Sequence, residues 1–171
     1  LDCATRQIRL LKPEPVLRSP TLKARIRHVT LTSRPTHEAL LYTWGSPVDR
    51  RPMSLDGFNV AVTANLSSAL QHLRHEDHPR VLSVDALCIN QDDKDERREL
   101  VLIMRDIYEA ATKVLAWLGE ASKDSDLAMD LVDKGMADKV LQRQSRESSA
   151  FKKLCPRPYW TRIWILQELA V

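Results

Sequence analysis

Six side chains combine useful chemistry with a telling position in this sequence: Tyr42, Trp44, Asp85, Asn90, Trp164 and Glu168. Each stands at or beside the end of an apolar run, where a strand or helix hands over to a loop. Asp85 interrupts the run Val81–Ile89, and burying an unpaired carboxylate is expensive, so this acid must be hydrogen-bonded or have a use. Either it ties down a neighbouring loop or helix start, or it contacts a ligand; the residues leave both readings open. Trp44 and Trp164 divide in the same way, between core packing and a stacking surface for a planar ligand.

Other chemistries find less support. His72, His75 and His78 sit three apart, but no carboxylate or cysteine is spaced to complete a metal geometry, and Pro79 puts the last of them in a loop. They read as a polar helix end, and no metal is expected. Cys88 lies inside an apolar run and reads as a buried structural thiol rather than a nucleophile. The chain has 4 glycines, Gly45, Gly57, Gly119 and Gly135, and no two are close. A dinucleotide fold or a P-loop needs clustered glycines so that backbone N–H groups can reach phosphate, so hydride-transfer dehydrogenases and P-loop NTPases are excluded.

The elements that must position these groups are legible as runs. Val81–Ile89 predicts a strand, Asn90–Asp93 a polar turn, and Leu100, Ile103, Met104, Ile107, Tyr108 and Ala111 recur at the spacing of one helix face. Asp93, with Glu96 three residues on, marks that helix's start. A second strand, Val114–Leu118, stops at Gly119. Strand, one-sided helix, strand is the crossover unit of a parallel sheet, and Asp85, Asn90 and Gln91 would then lie at the carboxyl end of a strand, where such sheets place their ligand crevices. Ile8–Leu11 and Leu22–Leu31 predict an antiparallel edge around Pro13, Pro15 and Pro20. Glu38–Trp44 predicts the first parallel strand, ended by Gly45-Ser46-Pro47. Met53–Val62 predicts a hairpin turning at Asp56-Gly57, and Thr63 predicts the cap of a helix carrying Leu66, Ala69, Leu70 and Leu73. Leu127–Met136 predicts a further helix, Gln142–Ser149 a loop, and Tyr159–Val171 either a strand or, from its good helix formers, a helix.

At 171 residues the chain fits a single domain over 1–171. With 26 basic and 23 acidic residues the net charge is only +3, and the basic residues of the first fifty positions are scattered, without interleaved aromatics. Nucleic acid is not an expected partner. Three cysteines without a CxxC pair suggest a reducing, cytoplasmic setting, and no run of apolar residues is long enough to span a membrane. The opening at Leu1 and the apolar end at Val171 suggest an excerpt of a longer protein.

Five segments carry a family resemblance. EALLYTWG (Glu38–Gly45), VTANLSSALQHLR (Val62–Arg74), DALCINQDDKDER (Asp85–Arg97), IYEAATKVLAWLGE (Ile107–Glu120) and RIWILQELA (Arg162–Ala170) together resemble the heterokaryon-incompatibility, or HET, domain of filamentous fungi. One departure is Ser83, where the family usually carries tryptophan, which raises the question of a small pocket or a repacked strand. HET domains are associated with programmed cell death after fusion of incompatible cells, and they resemble Toll/interleukin-1-receptor (TIR) domains. The resemblance implies a TIR-like, flavodoxin-like α/β fold: a mostly parallel sheet flanked by helices, with an antiparallel N-terminal edge and a small hairpin. Trp164-Ile165-Leu166-Gln167-Glu168-Leu169 is similar to the TIR segment whose glutamate is catalytic in NAD-cleaving members, with Ile165 in place of a cysteine. It implies Glu168 as the catalytic residue, NAD⁺ or a related nucleotide as substrate rather than held cofactor, and a binding set of Tyr42, Trp44, Gly45, Asp85, Asn90, Arg162 and Trp164. It also implies self-association on activation. The alternative is a non-enzymatic, self-associating signalling module.

Overall fold

The computed structural model describes residues 5–17, 19, 21–135 and 145–161, and the side chains of all of these but Thr161. Seven strands, β1 (Gln7–Pro13), β2 (Lys23–Thr30), β3 (Glu38–Tyr42), β4 (Arg50–Leu55), β5 (Phe58–Thr63), β6 (Leu82–Ser83) and β7 (Lys113–Trp117), form one mixed sheet. Their order is β5-β4-β2-β1-β6-β3-β7. β3 pairs in parallel with β6 on one side and β7 on the other, whereas β1 runs antiparallel to β2 and β6. The parallel trio therefore stands in the order second, first, third along the chain. Its switch point, where successive crossovers depart to opposite sides, lies between β3 and β7. Among the described residues no helix is long and apolar enough to cross a membrane.

Helices cover the sheet because the strands offer apolar side chains to both faces. In β3 the four residues Ala39–Tyr42 are all buried. Leu40 and Tyr42 join Leu66, Ala69 and Leu70 of α1 (Ala64–Leu73), while Leu41 meets Tyr159 on the opposite face. Leu100 of α3 (Lys94–Leu102) and Ile107 of α4 (Met104–Glu109) close over Ile8, Leu10 and Leu31. Consecutive burial of this kind is what an unbroken apolar run signals in a covered parallel strand.

Local chemistry sets several boundaries where the sequence predicts them. Thr63 caps α1 by accepting from Leu66 N at 3.4 Å, and Asp93 caps α3 by accepting from the backbone N–H groups of Asp95 and Glu96 at 3.0 Å each. Asp56 and Gly57, with φ of 51° and 86°, make the tight turn of the β4–β5 hairpin. The Asp56 carboxylate also accepts from Ile26 N, bracing the hairpin against β2.

Four expectations need correction. The strand predicted over Val81–Ile89 is only Leu82–Ser83, and the chain then enters a helical turn, α2 (Asp85–Cys88). Val84 and Cys88 are four apart, so one turn buries both, at 0% and 5% exposure. An apolar run satisfies either geometry. The single helix predicted across Leu100–Ala111 is broken at Ile103 (φ −104°, ψ 6°) into α3 and α4. No proline or glycine marks this break. Within Gln142–Ser149, read as a loop, Ser145 caps a helix, α6 (Arg146–Leu154), through Ser148 N at 3.1 Å. Its charged residues Arg146, Lys152 and Lys153 face outward, while Ser148 is buried and Ala150 and Leu154 pack on Ala128 of α5 (Ser125–Asp133). The two helices are also joined by Asp124, whose carboxylate is held below its ordinary pKa by the hydrogen bond from Lys153 at 2.8 Å. Finally, α5 begins at Ser125 rather than Leu127, and Met136 and Gln142–Gln144 lie outside the described residues. Of Tyr159–Val171, a 3-10 turn covers Pro158–Thr161, and Arg162–Val171 lie outside the described residues.

Two side chains give tests of this packing. Glu96 is 9% exposed and accepts from the Arg9 guanidinium and from Asn90 N at 2.7 Å, while Arg9 Nε holds the Cys88 carbonyl at 2.8 Å. Removing the carboxylate leaves a largely buried cation unpaired, so Glu96→Ala should cost about 3 kcal/mol in urea unfolding, and a loss below about 0.5 kcal/mol would contradict the arrangement. Burial pushes the Cys88 thiol up from its ordinary 9.0 to about 12. The unfolded thiol ionises first, so its deprotonation favours the unfolded chain and stability should fall as pH rises from 9.0 towards 12. Cys88→Ala should show a shallower decline over that window, and an unchanged slope would count against the buried thiol.

Candidate functional site

The site is built from the carboxyl ends of β3 and β7 and the first turns of α1 and α2. β3 ends with Tyr42 in the core, and the chain turns at Gly45, whose φ is +77°. A Cβ at Gly45 would stand 3.1 Å from Asn65 Cβ, so both the backbone angle and the close approach to α1 require glycine. Between them Trp44 is 46% exposed. Its Nε1 donates to Asp85 Oδ2 at 2.8 Å, and Asp85 Oδ1 accepts from Ala86 N at 2.7 Å. The acid in the apolar run is therefore satisfied twice, at the start of α2. It fixes the indole plane while leaving much of the ring open.

On the other side of β3, Asn65 of α1 reaches both strand ends. Its Nδ2 donates to the Thr43 carbonyl at 2.6 Å and to Thr43 Oγ1 at 3.2 Å, and its Oδ1 accepts from Trp117 Nε1 at 3.0 Å. Asn65, Ser68 and His72, spaced three and four apart, follow one helix face. His72 lies against Trp117 with ring centroids 5.1 Å apart, and its Nδ1 meets the Ser68 carbonyl at 2.9 Å. Beyond Gly119, Glu120 accepts from the Ser68 hydroxyl and stands 3.6 Å from His72 Nε2. The turn carrying it is held from behind by Arg157, which donates to the Leu118 and Gly119 carbonyls and to Ser125 Oγ.

The residues expected at a binding site are thus distributed unevenly. Trp44 and Asp85 come together where β3 and β6 end, on the side of β3 away from β7, and Gly45 stands against Asn65 of α1. Tyr42, expected to face a ligand, is 1% exposed and packs in the α1-side core, because alternation along β3 gives it the same face as Leu40. Asn90 is exposed and shapes its own loop, accepting from Asp92 N at 3.2 Å, while neighbouring Gln91 donates to the Asp85 carbonyl at 3.0 Å. Arg162, Trp164 and Glu168 lie outside the described residues. Asn65, Ser68, Trp117 and Glu120 were not singled out from the sequence, and the signal available was the shared helix face of Asn65, Ser68 and His72. The histidines do not converge: His75 and His78 stack at 3.9 Å while His72 turns to Glu120. Ser83 and Asp85 are among the residues lining a cavity of ≈ 10 Å³, room for about one water.

Chemically, these strand ends offer two indoles with their N–H groups tied down, and in Glu120 an exposed carboxylate able to accept further hydrogen bonds. Such surfaces suit a planar ring joined to a polyol.

The chain matches the family model described as Heterokaryon incompatibility protein (HET) over residues 37–168, well over half its length. It is 38% identical over 109 residues to "Heterokaryon incompatibility protein 6, OR allele" of Neurospora crassa, an alignment covering 56% of this chain and 16% of that protein. The match therefore takes in a small part of that relative's length. No solved structure matches the chain. On the extent of the family match, the chain belongs to the heterokaryon incompatibility (HET) family.

Proposed function

We propose that this HET domain is a cytoplasmic cell-death effector of fungal heterokaryon incompatibility, and that it acts by hydrolysing NAD⁺ to nicotinamide and ADP-ribose in the manner of TIR domains. The observation that carries the nucleotide reading is Trp44: an indole 46% exposed, fixed by Asp85 and standing beyond the carboxyl ends of the parallel strands β3 and β6. Open α/β sheets bind ligands outside the carboxyl ends of their strands. Family membership supports the incompatibility role.

The chemistry asks little of the protein. The C1′–N bond breaks, nicotinamide leaves as a neutral group from a cationic precursor, and water adds to C1′ with release of a proton. No strong general acid is needed, in contrast to ordinary glycoside hydrolysis with its two carboxylates. What the transition state requires is negative charge near a ribosyl cation. In this reading Glu168 supplies it, Trp44 stacks on nicotinamide, and Asp85 holds Trp44 in place. Arg162 and Trp164 complete the pocket, and self-association brings the active form together.

A second reading, a scaffold that self-associates without catalysis, is favoured by β7. Among the described residues that strand is the outer edge of the sheet, and it exposes Val114 and Ala116. An unpaired apolar edge invites strand addition.

Purified protein incubated with NAD⁺ over a range of protein concentrations separates the two. Nicotinamide release rising steeply with concentration is the expected result, and none at any concentration would favour the scaffold. Glu168→Gln should abolish release with the circular dichroism spectrum unchanged, and unchanged turnover would remove the assignment. Trp44→Ala should lower turnover by roughly tenfold or more, as loss of one base–aromatic stack implies.

A further inference from the structure

Two carboxylates flank the tip of β3, and they are not equivalent. Both oxygens of Asp85 are engaged, one by Trp44 Nε1 and one by Ala86 N. Glu120, on the β7 side, is held differently. The Ser68 hydroxyl donates to Oε1, His72 Nε2 stands 3.6 Å from Oε2, and the side chain remains 63% exposed. A carboxylate has about four acceptor directions, so roughly two are left facing solvent. The group is oriented without being saturated. It is not part of a serine-nucleophile triad, because the hydroxyl meets the acid rather than the imidazole.

The surroundings are equally specific. Trp117 lies three residues before Glu120, with its N–H fixed by Asn65 and His72 against its ring. Arg157, behind the Leu118–Gly119 turn, directs its donors to those carbonyls and to Ser125 Oγ. It is committed to holding the turn.

We infer that Glu120, oriented by Ser68 and His72 beside Trp117, binds the 2′,3′-diol of the adenosine ribose. The dinucleotide then lies across the tip of β3, its nicotinamide half on the Trp44 side and its adenosine half on the Trp117 side. A diol offers two O–H donors to the two free acceptor directions. A carboxylate next to the ribose selects a free 2′-hydroxyl, whereas a 2′-phosphate, carrying close to two negative charges, is repelled. The site therefore takes nucleotides with an unmodified adenosine ribose and rejects their 2′-phosphorylated forms. This inference rests on the nucleotide reading proposed above.

Its test uses ligands without a scissile bond, so that catalysis plays no part. Titration calorimetry of the full chain with ADP-ribose and with ADP-ribose 2′-phosphate should give a preference for the first of about 10- to 100-fold, the range expected for hydrogen bonds to a charged group. Glu120→Gln should reduce that preference to within about threefold and weaken ADP-ribose binding, and Ser68→Ala should weaken it in part. Binding of both ligands without preference, or a preference that survives in Glu120→Gln, would overturn the Glu120 assignment while leaving the nucleotide reading standing. No binding of either ligand by the unmodified chain would overturn both.

Discussion

One asparagine side chain ties the ends of β3 and β7 together. At the switch point the pairing of β3 with β7 ends at Tyr42 and Trp117, and the chain beyond each leaves the sheet. Asn65 reaches from the first turn of α1 to the Thr43 carbonyl with its amide N–H and to the Trp117 indole with its carbonyl oxygen. A neutral amide can do both because it carries donors and an acceptor on one planar group. Aspartate at this position would lose the donor side, and leucine both. The close approach of Gly45 to Asn65 follows from the same clamp, since the loop leaving β3 must pass directly over the side chain.

Beneath that clamp, charge is kept where partners exist to meet it. The Arg9 guanidinium in β1 joins Glu96 and the Cys88 carbonyl, so the α2 turn and the start of α3 are tied to an antiparallel strand from the other end of the sequence. Arg80 similarly joins Glu38 at the start of β3 to the Leu73 carbonyl at the end of α1. These pairs are worth less as net stabilisation than as register, because desolvating both ions offsets much of their attraction. Arg9 thereby ties the end of α2 to β1, and Arg80 ties the end of α1 to the start of β3.

How much of this the sequence discloses depends on distance along the chain. Local signals are legible: the Asp93 and Thr63 caps, the Asp56-Gly57 turn, the Gly45 turn and the buried run of β3 each depend on residues within a few positions. The helical turn at Asp85–Cys88 was hidden because burying Val84 and Cys88 is compatible with either a strand or a turn. The break at Ile103 carries no helix-breaking residue. The partners that meet at these strand ends are separated by 41 residues for Trp44 and Asp85, and by 52 for both Asn65–Trp117 and Ser68–Glu120. No periodicity connects such pairs. The family resemblance located the segments, yet the side chains that meet between them became visible only with the fold. Tyr42 shows the converse, since strand alternation alone sends it into the core.

The central claim is that the tip of β3 is a nucleotide site with an indole on each side. Three indole N–H groups have known and distinct partners: Trp44 with Asp85, Trp117 with Asn65, and Trp160 with the Leu154 carbonyl. Titrating ¹⁵N-labelled protein with ADP-ribose and following the indole resonances tests the claim directly. The account predicts that the Trp44 and Trp117 signals move together along one saturating curve while the Trp160 signal stays in place. Movement confined to Trp160, or no movement of Trp44 and Trp117 at saturating ligand, would contradict it.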